Sequence, residues 1–496
     1  MSEADAGRPL AVIDIGSNSV RLVIYERLAR APIALHNEKS LCGLGRGLAA
    51  TGLLAPEAVA CALHAVRRFY LVARAMRAAT IDVVATEAVR RAANGAEFLV
   101  QAGKACSGAV AVLSGDEEAR TAAMGVAYST YEPDGFSGDL GGGSIDLAQV
   151  GPDGPGPPYA SLPLGTLPVA EALADGVPAA LRLIEDRLLS VPWLRGAAAG
   201  RRFYVVGGGW RALGRVRLAL NDNPLKIVHD YAVTGEEALR LARSIVALEP
   251  GELATLPGLP GRRAETVPAA ALLLEHLVAR LEPAELVFSA FGLREGRLFM
   301  QLPAEELARD PLLAGAEDFG RSRSHTPDTG TAMGAWTAGL FAAETPAPRR
   351  IRLAACILSD TAWREHPGAR ALEAFFRLVQ YPFIGLGHTD RVLIAYTVFT
   401  RYEGSPHDPF LRPFLALLSE PERRRAEVLG TALQLGYRLS AGLPALLEGH
   451  RLLVGDGELR LRLAISQTAP DEASLRARLR ALARALGMER FAVESV

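Results

Sequence analysis

At 496 residues the chain is too long for one core, and two to four domains are expected. A 49% hydrophobic and 22% charged composition excludes a disordered chain. The formal net charge of −1 excludes a global basic field for nucleic acid or a membrane surface, so a polyanion must be met by a local patch. Lysine occurs only at Lys39, Lys104 and Lys226; nearly all positive charge is arginine. Arginine suits bidentate phosphate contacts, though coding bias accounts for the composition equally well. Cys42, Cys61, Cys106 and Cys356 form no CxxC pair, and their spacing fits neither a zinc site nor a disulfide framework. Reduced thiols in a cytoplasmic protein are expected. The polar start, Met1 to Pro9, has no signal pattern, and no apolar run approaches the ~20 residues that span a bilayer.

Leu10 to Glu26 reads as strand, tight turn, strand, the turn being Gly16-Ser17-Asn18-Ser19. Pro56 to Ala78 has helical spacing at Val59, Leu63, Val66, Phe69 and Val72. A short strand (Ile81 to Ala85), a helix (Glu87 to Lys104), a strand (Ala109 to Leu113) and the start of a helix (Ser114 to Val126) follow. After a loop at Tyr131 to Ser137, Gly138-Asp139-Leu140-Gly141-Gly142-Gly143-Ser144 is a second glycine turn with a strand running on to Val150. Gly151 to Pro158 reads as a loop. Arg202 to Gly209 is a strand ending in a third glycine run, Val267 to Leu281 a helix, Leu286 to Ser289 a strand, and Gly292 opens a helix. Alternating strands and helices predict an α/β architecture, here two similar lobes with a cleft between them. After Leu302 the pattern becomes helical, rich in Ala, Leu and Arg, to about residue 440. A hairpin (Arg451 to Val454 and Glu458 to Ile465, turning at Gly455-Asp456-Gly457), a helix (Glu472 to Leu486) and a last strand (Phe491 to Val496) make a small α+β module.

The two glycine turns carry phosphate chemistry. Small residues let backbone N–H groups approach an anion, and short hydroxyls add donors. Each turn follows an apolar strand ending in an aspartate, Asp14 or Asp139, that can hold Mg²⁺ or one of its waters. One such turn alone reads as a capped hairpin; two matched Asp-x-Gly turns with a serine behind them point to phosphate.

Ala11 to Ser19 resembles the first phosphate motif of the exopolyphosphatase and guanosine pentaphosphate phosphohydrolase (Ppx/GppA) family, and Asp139 to Ser144 its second. Ala85-Thr86-Glu87-Ala88-Val89-Arg90 with Ala93-Asn94-Gly95 is similar to the segment between them. Ser114-Gly115-Asp116-Glu117-Glu118-Ala119-Arg120 resembles the catalytic-glutamate loop, and Phe291 to Gly296 the helix start closing the second lobe. Five motifs in order over some 300 residues make a specific signal. The resemblance implies a two-lobed actin, sugar-kinase and heat-shock-ATPase-like (ribonuclease H-like) core, first lobe 1–130 and second lobe 131–302. It further implies a helical HD-like domain at 303–440, with the α+β module at 441–496.

The implied activity is hydrolysis of the terminal phosphoanhydride of inorganic polyphosphate. Guanosine pentaphosphate is the alternative substrate, and a sugar or acyl kinase on the same fold is a further enzyme reading. The implied catalytic residues are Glu118 and Arg90. Gly16, Ser17, Asn18, Ser19, Gly141, Gly142, Gly143 and Ser144 are the implied phosphate donors, with Asp14, Asp139 and Asp146 as Mg²⁺ ligands. Physics alone divides Glu117 and Glu118 between catalysis and capping, since Ser114-x-x-Glu117 is a capping box. Asp146 stands where the family has Glu, and Ile145 where it commonly has Thr. Trp210, beside the third glycine run, either stacks on a base or fills that space; filling or core packing is favoured. The HD metal pair falls on Ser359-Asp360, and serine is a poor substitute for imidazole, so this domain is expected to be a non-catalytic scaffold. The resemblance also implies a homodimer. The altered Ile145, Asp146 and Ser359 leave a reading of another class open, a polyphosphate- or nucleotide-sensing regulator without turnover.

Overall fold

The computed structural model describes residues 7–326, 328–455, 457–464 and 472–495. The chain divides into two compact units, Met1–Arg309 and Asp310–Val496.

The first unit is built on two sheets. One has the strand order β3-β2-β1-β4-β5, from β1 (Leu10–Ile15), β2 (Ser19–Tyr25), β3 (Ala34–Leu41), β4 (Thr80–Ala85) and β5 (Ala111–Val112). The other has the order β10-β11-β9-β6-β7-β8, from β6 (Gly135–Leu140), β7 (Ile145–Gly151), β8 (Gly154–Leu162), β9 (Arg202–Gly207), β10 (Tyr231–Thr234) and β11 (Glu285–Phe288). In each, a central antiparallel hairpin pairs onward with a parallel strand, β1 with β4 and β6 with β9. Each sheet has its own core. In the first, Ile13, Ile15, Leu22 and Ile24 pack on Ala62, Val66 and Phe69 of helix Pro56–Ala75. In the second, Leu147, Phe203 and Val205 meet Leu273, Leu274 and Leu277 of helix Val267–Leu281.

Two sequence readings are corrected. The helix expected over Glu87 to Lys104 is two, Glu87–Arg91 and Gly95–Ala105. Asn94 breaks it by bonding both the amide and the carbonyl of Leu54, at 2.9 and 3.0 Å. The Gly/Pro stretch taken for a loop is mostly β8, whose edge position tolerates prolines that cannot donate to a ladder. Among the cysteines, all free, Cys42 and Cys61 bring their sulfurs to 2.9 Å, a proximity their sequence spacing does not reveal.

The second unit is helical from Pro311 to Leu447 and ends in a sheet of β12 (Arg451–Gly455), β13 (Glu458–Leu463) and β14 (Arg490–Ser495). Helix Glu472–Leu486 makes the crossover between the parallel β13 and β14. Asp456 of the expected hairpin turn, Ile465 and Val496 lie outside the described residues.

Candidate active site

The two glycine turns are the same device used twice. In β1–β2, Asp14 pairs with Arg21 and Ile15 with Val20; in β6–β7, Asp139 pairs with Asp146 and Leu140 with Ile145. Each turn closes on one bond, Gly16 N to Ser19 O at 3.1 Å and Gly141 N to Ser144 O at 2.9 Å. Neighbours then fix the outer faces. Gly43 and Gly45 donate to the carbonyls of Asn18 and Ser17, while Gly165, Thr166 and Leu167 donate to those of Gly143, Gly141 and Gly142. With the carbonyls used, the amides of Ser17, Asn18, Gly142 and Gly143 have no protein acceptor among the described residues. Such a set of amides is an anion nest. Both turns line one cleft, and they touch: a Cβ on Gly142 would lie 2.9 Å from the amide nitrogen of Asn18.

The acids meet in the same cleft. Helix Gly115–Ser129 begins with the capping box, Glu117 accepting the Ser114 amide at 2.8 Å. Those bonds hold the Glu117 carboxyl below its usual range. Glu118, one residue on, is 8% exposed and lines the cleft. Capping and cleft thus take one acid each. Burial, then the charge of Asp146, pushes Glu118 well above the ordinary carboxylate range, opposed by Arg90 at 3.1 Å. Arg90 also donates to the Leu113 carbonyl and is not among the residues that line the cleft. Its geometry is that of a holder of Glu118.

Asp139 and Asp146 lie on paired strands. Burial lifts Asp139 to about 6, against the pull of Arg211 and Arg294. Burial lifts Asp146 to about 7, although the Ser161 hydroxyl beside it favours the charged form. Asp146 Oδ2 accepts from Ser144 at 3.4 Å, while its buried Oδ1 has no hydrogen-bond partner of ordinary geometry. Two raised, neighbouring carboxylates and an orphaned oxygen fit a hard divalent cation. No three His, Cys, Asp or Glu side chains converge on a point among the described residues, so a cation held there would need water or phosphate oxygens for the rest of its shell. Asp14 is engaged differently: its Oδ2 accepts from Arg294 at 3.1 Å.

Facing the acids are cations that sequence reasoning did not assign to the site: Arg21, Lys39, Arg211, Arg263 and Arg294. Lys39 pairs in register with Arg21 across β2–β3. Burial, with the charges of Arg263, Arg21, Arg211 and Arg294, lowers Lys39 to about 7. The only advance signal is that Lys39 is one of three lysines and that Arg294 lies within the Phe291 to Gly296 motif. The third glycine run forms the end of the cleft. Gly207, at φ +106°, turns from β9 into helix Gly208–Leu220, and a Cβ on Gly208 would lie 2.2 Å from the Arg263 guanidinium. Trp210 points the other way. It is fully buried, donates to the Ala270 carbonyl at 2.9 Å and meets Phe203 edge-on. It is a core residue and offers no platform for a base.

In the helical unit, Ser359 shares a 3.0 Å bond with the Tyr437 hydroxyl and donates to the Cys356 carbonyl. Asp360 accepts from the His325 amide at 2.9 Å and lies 3.5 Å from Arg401, whose guanidinium is flanked by the rings of Tyr402 and Tyr437. A guanidinium is the cation beside Asp360, and the imidazole ligand of an HD pair is missing.

The model of the Ppx/GppA phosphatase family matches residues 23–305, and that of the C-terminal exopolyphosphatase domain matches residues 312–493. Exopolyphosphatase 2 of Mycobacterium tuberculosis is 28% identical over 293 residues, 55% of this chain and 90% of that protein. The crystal structure of an exopolyphosphatase-like protein superposes with a TM-score of 0.53 at 22% identity, covering 59% of this chain and 96% of the other, a likeness of fold. The Aquifex aeolicus PPX-GPPA enzyme gives a TM-score of 0.49 at 25% identity, over 59% of this chain and 98% of its own.

Proposed function

This chain belongs to the Ppx/GppA phosphatase family, and on that premise we propose that its cleft is the active site of an exopolyphosphatase. The observation that carries the reading is the meeting, in one cleft, of two amide-rich turns, the buried Glu118 and five cations. Hydrolysis of a terminal phosphoanhydride needs those parts: donors for the phosphoryl oxygens, a group to orient and deprotonate water, and positive charge for the transition state. In this reading the amides and hydroxyls of Ser17, Asn18, Gly142, Gly143 and Ser144 hold the terminal phosphoryl group. Glu118 takes a proton from the attacking water. The new P–O bond forms as the bridging P–O bond breaks, releasing orthophosphate and leaving a chain one unit shorter. Its raised pKa makes Glu118 a stronger base than an exposed carboxylate. Arg90 opposes that rise and holds the side chain in place.

Asp139 and Asp146 would hold Mg²⁺, with Asp14 beside them on Arg294. The ion, when bound, neutralises phosphate charge as the anhydride breaks. Polyphosphate is favoured over guanosine pentaphosphate because the third glycine run is faced by Arg263 and Arg211, while Trp210 is turned into the core. Three further proposals accompany this reading: a cytoplasmic location, from the cysteine pattern; a homodimer, from the family resemblance; and a helical HD-like domain acting as scaffold, from Ser359 in place of the HD histidine. No helix among the described residues is long and apolar enough to cross a membrane.

The test is phosphate release from long-chain polyphosphate, with and without Mg²⁺, by the wild type and Glu118→Ala, beside guanosine pentaphosphate. Mg²⁺-dependent release from polyphosphate, lost in Glu118→Ala, supports the reading. Faster turnover of the nucleotide reverses the substrate order, and no release from either leaves a sensor.

A further inference from the structure

The helix that carries Glu118 and the short helix Leu293–Phe299 cross with their backbones almost touching. A Cβ on Gly125 would lie 2.1 Å from the Gly292 carbonyl oxygen, and one on Gly296 would lie 1.8 Å from that of Thr121. The crossing delivers Arg294 to the cleft wall. Its side chain is 12% exposed and its Nη1 donates to Asp14, while its buried Nε has no partner. Arg294 itself lines the cleft that holds the two amide-rich turns.

The next residue is a competitor for that guanidinium. Glu295 is a 7% exposed carboxylate, and its charge acts on Arg294 more strongly than that of Asp14. Both its oxygens are occupied elsewhere. Oε2 accepts the Gly292 amide at 3.0 Å, and Oε1 accepts the hydroxyl of Tyr25, from β2, at 2.5 Å. Tyr25 is itself 2% exposed, and burial, then the Glu295 charge, raises its phenol well above the ordinary range, so it remains a donor at neutral pH.

We propose that Tyr25 and Glu295 are positioning residues for substrate binding: the Tyr25 hydroxyl occupies Glu295, which leaves Arg294 to Asp14 and to the oxygens of a polyphosphate. Their action is through Arg294; neither lines the cleft. The identity of the anion rests on the exopolyphosphatase reading, whereas the geometry that joins the three side chains does not.

The probe is tripolyphosphate, bound to the full-length protein in EDTA and followed by calorimetry, so that turnover is not needed. Tyr25→Phe removes one oxygen and frees Glu295 to capture Arg294; binding is expected to weaken about tenfold. Adding Glu295→Gln removes the competing charge, and the double variant is expected to return to near wild-type affinity. A purely structural tyrosine would give no such rescue. With Mg²⁺, Tyr25→Phe is expected to raise KM more than it lowers kcat. The proposal is overturned if Tyr25→Phe binds as the wild type does, or if the double variant binds no better than Tyr25→Phe alone. Should Tyr25→Phe fail to fold, Glu295→Gln alone decides: binding at least as tight as the wild type supports the proposal, and weaker binding overturns it. A wild type that binds tripolyphosphate yet releases no phosphate defeats the hydrolysis reading while this comparison still stands.

Discussion

Arg90 binds Glu118 and the backbone before it with a single nitrogen: Nη1 lies 3.1 Å from Glu118 Oε2 and also donates to the carbonyl of Leu113, which precedes the capping Ser114. The guanidinium thus ties the acid's charge to the start of its own helix. Arg90 lowers a carboxyl that burial and Asp146 raise, so its removal moves that carboxyl further upward. In Arg90→Ala the acid limb of the pH–rate profile is expected to shift to higher pH, by up to about one unit. Phosphate release measured from pH 5 to 9 checks it; an unmoved acid limb would separate Arg90 from Glu118 ionisation.

Glu118→Gln keeps the shape of the side chain and removes its basicity. The rate of phosphate release is expected to fall by roughly 10² to 10⁴, with tripolyphosphate binding retained. Loss of binding in parallel would make Glu118 a ligand of the substrate instead of its base.

The paired acids predict a pH-dependent stability. Asp146 titrates at 3.8 ordinarily and at about 7 here, so the folded state holds the proton more tightly than the unfolded one. Its stabilising contribution is complete below about pH 4 and is lost as pH rises through 7. In EDTA, the Tm of the wild type is expected to be several degrees lower at pH 8 than at pH 6, and Asp146→Asn to narrow that gap. Mg²⁺ at pH 8 is expected to restore Tm in the wild type and less so in Asp146→Asn. A metal response equal in both proteins would remove Asp146 from the cation site.

Gly143 is where the second turn meets the first lobe: a Cβ there would lie 1.9 Å from Glu87 Oε2 and 2.7 Å from Ser17 Oγ. Gly143→Ala is expected to push the turns apart and lower kcat/KM at least tenfold. Gly151→Ala, where a Cβ meets nothing within 4 Å, is the control expected to behave as the wild type.

Trp210→Phe removes the indole donor to the Ala270 carbonyl and part of a fully buried side chain. A destabilisation of about 1–3 kcal/mol is expected, seen as a lower denaturant midpoint, with the ratio of polyphosphate to guanosine pentaphosphate turnover unchanged. A change in that ratio would return Trp210 to the substrate pocket.

The local sequence determined the two Asp-led glycine turns, the capping box that divides Glu117 from Glu118, the α/β start and the helical second half. These follow from short-range chemistry: apolar runs form strands, glycine and serine turn them, and a serine three residues before a glutamate starts a helix. The pairing of Arg294 with Asp14, 280 positions apart, and the gathering of Arg21, Lys39, Arg211 and Arg263 were decided by the tertiary fold alone. So were the contact of Cys42 with Cys61 and the inward turn of Trp210. An arginine in a strand or helix looks the same in sequence whether it faces water or an anion. Only packing sets its distance to other charges and the water left around it, and those two quantities fix what a charge can do.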